Sequence, residues 1–163
     1  MKKYVLLLVF MLSLTNCKAQ VEAEKFSKEA LADVFIDQEG SNVMFSDILK
    51  KYEGKQIFID IWASWCKDCI KGMPKVKQLQ NNNPDTVFLY LSLDKSLQSW
   101  KRGIEKHQVE GEHYYMKSGW KGEFATFLDL DWIPRYLIIN KSGDITLFRA
   151  IKADDKNIKA ILK

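Results

Sequence analysis

The stretch Phe58-Ile59-Asp60-Ile61-Trp62-Ala63-Ser64-Trp65-Cys66-Lys67-Asp68-Cys69 decides how this chain is read. From Gln56 to Trp62 it is apolar and rich in β-branched and aromatic residues, apart from Asp60. That is the pattern of a strand buried on both faces. The cysteines follow at once, and a helical pattern runs from them through Leu79 to a breaker at Asn81-Asn82-Asn83-Pro84. The pair therefore falls at the end of a central strand and the start of a helix. There, unpaired N–H groups and the helix dipole favour a thiolate at Cys66. Asp60 is the other notable residue, because an ionisable group inside an apolar strand needs a reason. It is either a buried carboxylate or a side chain turned outward at the strand end.

Outward from this segment, strand-like and helix-like stretches alternate, which predicts an α/β domain. Val43-Met44-Phe45 reads as a short strand, and Ser46 as the cap of a helix to Tyr52, stopped by Gly54. Thr86 to Leu93 reads as a second buried strand. Ser96 to His107 reads as a helix with Leu97, Trp100 and Ile104 on one face. Lys121 to Leu128 reads as a further short helix. Tyr136 to Asn140 and Ile145 to Arg149 form a hairpin around Lys141-Ser142-Gly143-Asp144, and Asp154 caps a last helix to Leu162. At 47% hydrophobic and 28% charged residues, the composition supports a sizeable core. The net charge is only +4, part of it from Lys2 and Lys3, and argues against nucleic-acid binding.

The cysteine segment resembles the active site of the thioredoxin superfamily, in which an apolar strand carries one acid and runs into Trp-Ala-x-Trp-Cys-x-x-Cys. Pro74 matches the family's helix-kinking proline, and Trp132-Ile133-Pro134-Arg135 matches the loop that brings a cis-proline to face the disulfide. The match spans roughly residues 43–163, and together with the leader it resembles TlpA-like, membrane-anchored members. The resemblance implies a thioredoxin fold: a central mixed sheet flanked by helices, with an N-terminal extension and an inserted middle helix. It implies that Cys66 attacks the client disulfide and Cys69 resolves the mixed disulfide. Asp60 would be the buried carboxylate that takes the Cys69 proton, and a cis Pro134 would expose the Ile133 backbone to a client strand. Trp65 and Trp132 are expected to face the client, and Trp62 and Trp100 the core. Lys67 favours the thiolate and Asp68 opposes it, so these two tune the potential in opposite senses where thioredoxin itself has Gly-Pro.

The beginning of the chain carries a second signal. Met1-Lys2-Lys3 is a basic n-region, and Tyr4 to Leu12 is an apolar run shorter than the roughly 20 residues of a membrane span. Leu14-Thr15-Asn16-Cys17 resembles the lipobox of bacterial lipoproteins, although Asn16 departs from the small residue usual there. Cys17 would then be lipidated; the alternatives are a cleaved signal ending near Ala19-Gln20 or a short signal anchor. The expected division is a signal at 1–16, an anchor and spacer at 17–29, and the domain at 30–163. With Cys17 lipidated, the three cysteines leave one close pair, too few for a disulfide framework.

The leading expectation is an extracytoplasmic, lipid-anchored reductase of disulfides in exported proteins, fed by a membrane thiol donor, monomeric and without bound cofactor. The same chemistry run as an oxidase or isomerase is the first alternative. A copper or zinc delivery protein using Cys66 and Cys69 is the alternative from another class. His107 and His113 sit in polar surroundings and read as solvated rather than as metal ligands.

Overall fold

The apolar run before the cysteines becomes β3 (Ile57–Trp62), buried at every position. In the structure, a computed structural model that describes residues 23–162, β3 pairs in parallel with β4 (Val87–Ser92). On its other side it pairs antiparallel with β6 (Arg135–Ile139). The remaining strands are β1 (Val34–Ile36), β2 (Asn42–Met44), β5 (Glu112–Met116) and β7 (Ile145–Ala150). They complete one mixed seven-stranded sheet in the order β2-β1-β5-β4-β3-β6-β7.

The helices are α1 (Lys28–Ala32), α2 (Phe45–Lys51), α3 (Lys67–Asn82), α4 (Leu97–His107), α5 (Glu123–Phe127) and α6 (Lys156–Ile161). α3 and α4 connect neighbouring parallel strands stepping in one direction, so right-handed crossovers put both on the same face. That face carries Phe58, Asp60 and Trp62, and the Trp62 ring reaches Gly103 of α4. α1, α2 and α5 form the other layer, around Phe26, Phe35, Phe45 and Phe124, whose rings meet at centroid distances of 4.6–5.9 Å. Trp62 and Trp100 are wholly buried, as expected, and truncating either would cost roughly 3–5 kcal/mol.

Several boundaries differ from the sequence reading. Phe45 opens α2 instead of ending a strand, and Met44, not Ser46, stands at its N-cap, with no side-chain hydrogen bond. The last helix is capped by Asp155, whose carboxylate accepts the Asn157 N–H at 2.7 Å, while Asp154 turns to Lys75 at 2.5 Å. Leu97, expected on the apolar face of α4, is 37% exposed, and Gly103 is buried in its stead beside Trp100. The described end of the expected spacer is packed on the domain. The Ile145 N–H donates to the Glu24 carbonyl at 2.7 Å, Lys25 pairs with Asp144, and Phe26 is buried. The leader and Cys17 lie outside the described residues.

Candidate active site

The cysteines and the Ile133–Pro134 loop meet just past the C-terminal end of β3, the strand that carries Asp60. Cys66 takes an extended conformation at the N-cap of α3, and the Cys69 N–H donates to its sulfur at 3.1 Å. A sulfur in that position receives a helix-terminal N–H and the positive end of the helix dipole, both of which stabilise negative charge. Cys66 and Cys69 are joined in a disulfide with Cα atoms 5.3 Å apart. Both are nearly buried, and Cys66 is the more exposed, at 5% against 2%. Lys67 and Asp68 point to solvent, with Asp68 3.8 Å from Lys71.

The loop before β6 closes the other side. Its Ile133–Pro134 peptide is cis, and the Ile133 carbonyl oxygen lies 3.6 Å from the Cys66 sulfur. Arg135, next in the chain, is buried and ties the loop down by donating to the Leu128 carbonyl at 3.4 Å and to Asp131 at 2.7 Å. Trp65 and Trp132 are 49% and 63% exposed, an unusual amount of free aromatic surface for residues next to a buried pair.

Asp60 is buried in the face that looks toward α3, opposite Tyr90 of β4 and Tyr136 of β6. Of the two placements open at the sequence level, the inward one holds. Its Oδ1 has no hydrogen-bond partner, and burial pushes its carboxyl up to about 8. A carboxyl poised near neutrality can both take and return a proton at working pH.

Two participants in the geometry escape a reading of the sequence. Asp94, buried just after β4, accepts the Ser64 N–H at 3.1 Å and the hydroxyls of Ser64 and Ser92 at 2.6 and 2.9 Å. Ser64 immediately precedes Trp65-Cys66, so this carboxylate braces the active-site loop. Gly103 of α4 is the second: a Cβ there would overlap the Ser64 Cβ, so the glycine lets the inserted helix touch that loop. The only local signal for Asp94 is an acid directly after an apolar strand, and for Gly103 a glycine inside an amphipathic helix.

His113 corrects the expectation of a solvated ring. It is buried on β5, stacks on Tyr90 at 5.1 Å, and its Nε2 lies 3.0 Å from the Val109 carbonyl. Burial holds its pKa below the ordinary histidine value. Among the described residues no three His, Cys, Asp or Glu side chains converge as a metal cage.

A strand–loop–helix with this disulfide, a cis-proline loop against it and a buried acid on the strand that leads into it define a thiol–disulfide exchange site on a thioredoxin fold. The chain belongs to the Thioredoxin-like family, whose profile matches residues 54–145, and it is a thiol–disulfide oxidoreductase. It is 38% identical over 126 residues to the thiol-disulfide oxidoreductase ResA of Bacillus cereus, covering 76% of this chain and 69% of that one. Among solved structures it resembles a Bacteroides vulgatus protein described as a thiol-disulfide oxidoreductase, with 26% identity and a TM-score of 0.68 over 84% of this chain and 88% of the other. It shares its fold with a secreted Mycobacterium tuberculosis disulfide oxidoreductase, with 16% identity and a TM-score of 0.61 over 82% of this chain and 99% of that one.

Proposed function

We propose that this oxidoreductase works outside the cytoplasm as a reductase of disulfides in exported proteins. The observation that carries the exchange chemistry is the seat of the Cys66 sulfur, 3.1 Å from a helix-terminal N–H and 3.6 Å from the Ile133 carbonyl, while the reductive direction rests on the resemblance to TlpA-like members and the exported setting on the leader. In the dithiol form, the Cys66 thiolate attacks a client disulfide and one client sulfur leaves as thiolate. Asp60 then takes the Cys69 proton. The Cys69 sulfur attacks Cys66, expelling the second client thiolate and leaving the Cys66–Cys69 disulfide. Two electrons pass to the client. Trp65, Trp132 and the Ile133 backbone beside Pro134 receive the client segment, and Lys67 and Asp68 tune the pair.

A membrane thiol donor restores the dithiol. Residues 1–16 serve as a signal and Cys17 as the lipid attachment point, so the chain is anchored on the periplasmic side as a monomer. The leader supports this reading, as does the family's occurrence in a relative described as secreted. Equilibrating the fragment from residue 18 against dithiothreitol and glutathione tests the direction. A potential near the −270 mV of thioredoxin supports a reductase, and one near −120 mV makes it an oxidant. In cells, Cys17→Ser should release the protein from the membrane fraction; a variant that stays bound as before excludes the lipid anchor.

A further inference from the structure

The strands lay four titratable side chains in one row across the sheet. Tyr136 of β6 stands opposite Asp60 of β3, Asp60 opposite Tyr90 of β4, and Tyr90 opposite His113 of β5. Directly opposed residues share a face, so the whole row looks toward the layer of α3 and α4. All four are buried. The mechanism proposed above uses only Asp60, and it leaves one question of proton balance: a carboxyl with Oδ1 buried and unpartnered, and pushed up to about 8, holds a proton at pH 7 that it must discharge before it can take the one from Cys69, in the first turnover as in every later one.

The two tyrosines beside Asp60 are not equivalent as outlets. The Tyr136 hydroxyl is buried without a partner against Gly72 of α3. Tyr90 instead lines an open cleft between α3 and the end of α4, together with Ile70, Pro74, Lys77, His107 and Glu110. Its α3 wall includes Ile70, the residue that follows Cys69 in the chain. Its mouth is held by the Lys77–Glu110 ion pair at 3.1 Å and by the Gln80 amide donating to the Glu110 carbonyl at 3.1 Å. His113 stacks on the Tyr90 ring and fixes its direction.

We propose that Tyr90 carries protons between Asp60 and water in this cleft. The inference rests on the reading of Asp60 as acceptor of the Cys69 proton. Once Asp60 is protonated, it passes its proton through a bridging water to the Tyr90 oxygen, while the Tyr90 O–H proton moves to water in the cleft. Tyr90 is a neutral phenol before and after, and no electrons move. Burial and the neighbouring Asp60 and Glu110 carboxylates hold its pKa well above the ordinary tyrosine value, which keeps it a phenol throughout. The titratable groups facing Asp60 are then Tyr90 on β4 and Tyr136 on β6, under the α3 layer that opens on the disulfide. His113 lies one strand further, and Lys77, His107 and Glu110 line the cleft.

The test separates the two chemical steps by stopped flow, with the full-length reduced protein and a disulfide-bonded peptide. Tyr90→Phe keeps the ring and its stacking and removes only the hydroxyl. It should leave mixed-disulfide formation unchanged and slow its resolution about tenfold at pH 7, less than the roughly hundredfold or more that a direct general base supplies. The solvent deuterium isotope effect on resolution should rise, which a purely structural contribution would not produce. Tyr136→Phe should leave both steps unchanged. Resolution at the wild-type rate with an unchanged isotope effect in Tyr90→Phe, while Asp60→Asn is slow, overturns the relay alone. Wild-type resolution in Asp60→Asn overturns the reading of Asp60 beneath it.

Discussion

The carboxylate of Asp94 takes both hydrogens that Ser64 can donate, the backbone N–H at 3.1 Å and the hydroxyl at 2.6 Å. Asp94 follows β4 and Ser64 follows β3, so this contact locks the ends of two central strands together immediately before the active-site Trp65-Cys66. Asp94→Ala leaves part-buried and buried donors on Ser64 and Ser92 without a partner, at a cost of about 1–3 kcal/mol. The urea midpoint should fall accordingly, and iodoacetamide should alkylate Cys66 more slowly in the reduced protein. Asp94→Asn keeps one acceptor and should lose less on both counts. A fully stable alanine variant with normal alkylation would remove Asp94 from the site.

The other contact on Ser64 comes from α4. Gly103→Ala would gain up to about 1 kcal/mol of helix propensity, but its Cβ falls on the Ser64 Cβ, with the Trp62 ring 3.5 Å away. Overpacking of this kind costs typically about 1–3 kcal/mol, so the substitution should be net destabilising in urea denaturation. A gain in stability would mean that α4 shifts freely against the loop.

How far the sequence could be read depended on where each residue's reason lay. β3 and α3 were legible because full burial imposes an unbroken apolar run and Cys66 marks the point where that run turns into a helix. The cis Ile133–Pro134 bond was legible only through the family resemblance, since nothing local distinguishes it from a trans bond. β5 is not legible in the sequence, because Glu112 and His113 break its apolar pattern. Their reasons are tertiary: Glu112 accepts from Tyr52 and Lys51 of another element, and His113 stacks on Tyr90. β1 is too short to show a period, and Phe26 sits in a polar stretch, its burial coming from three phenylalanines distant in sequence. Asp94 is the clearest case. A lone acid after a strand is ordinary, and only the return of Ser64 makes it a brace.

Trp65 and Trp132 give a prediction that separates recognition from chemistry. Trp65 is half-exposed and Trp132 more so, so Trp65→Ala and Trp132→Ala should cost well below the roughly 3–5 kcal/mol of truncating a buried tryptophan. Each should raise KM for a disulfide-bonded peptide while leaving the reaction with a small disulfide such as oxidised glutathione unchanged. Equal losses with both substrates would mean that the indoles shape the reactivity of Cys66 and do not bind the client.

Asp60 links the site to stability through pH. Its folded pKa of about 8 lies above the ordinary aspartate value of 3.8 because burial disfavours the charged carboxylate. Between those two values the folded protein holds a proton that the unfolded chain has released. Stability therefore falls as pH rises through that window, with a limiting slope of roughly 1.4 kcal/mol per pH unit. Asp60→Asn removes this dependence. Relative to wild type, the variant should gain little near pH 4 and progressively more toward pH 8, after which the difference levels off. Urea denaturation of the oxidised proteins across pH 4–9 measures it. A constant difference over that range would mean that Asp60 is charged throughout and solvated in the folded protein, and the proton transfer assigned to it would have to be carried by another group.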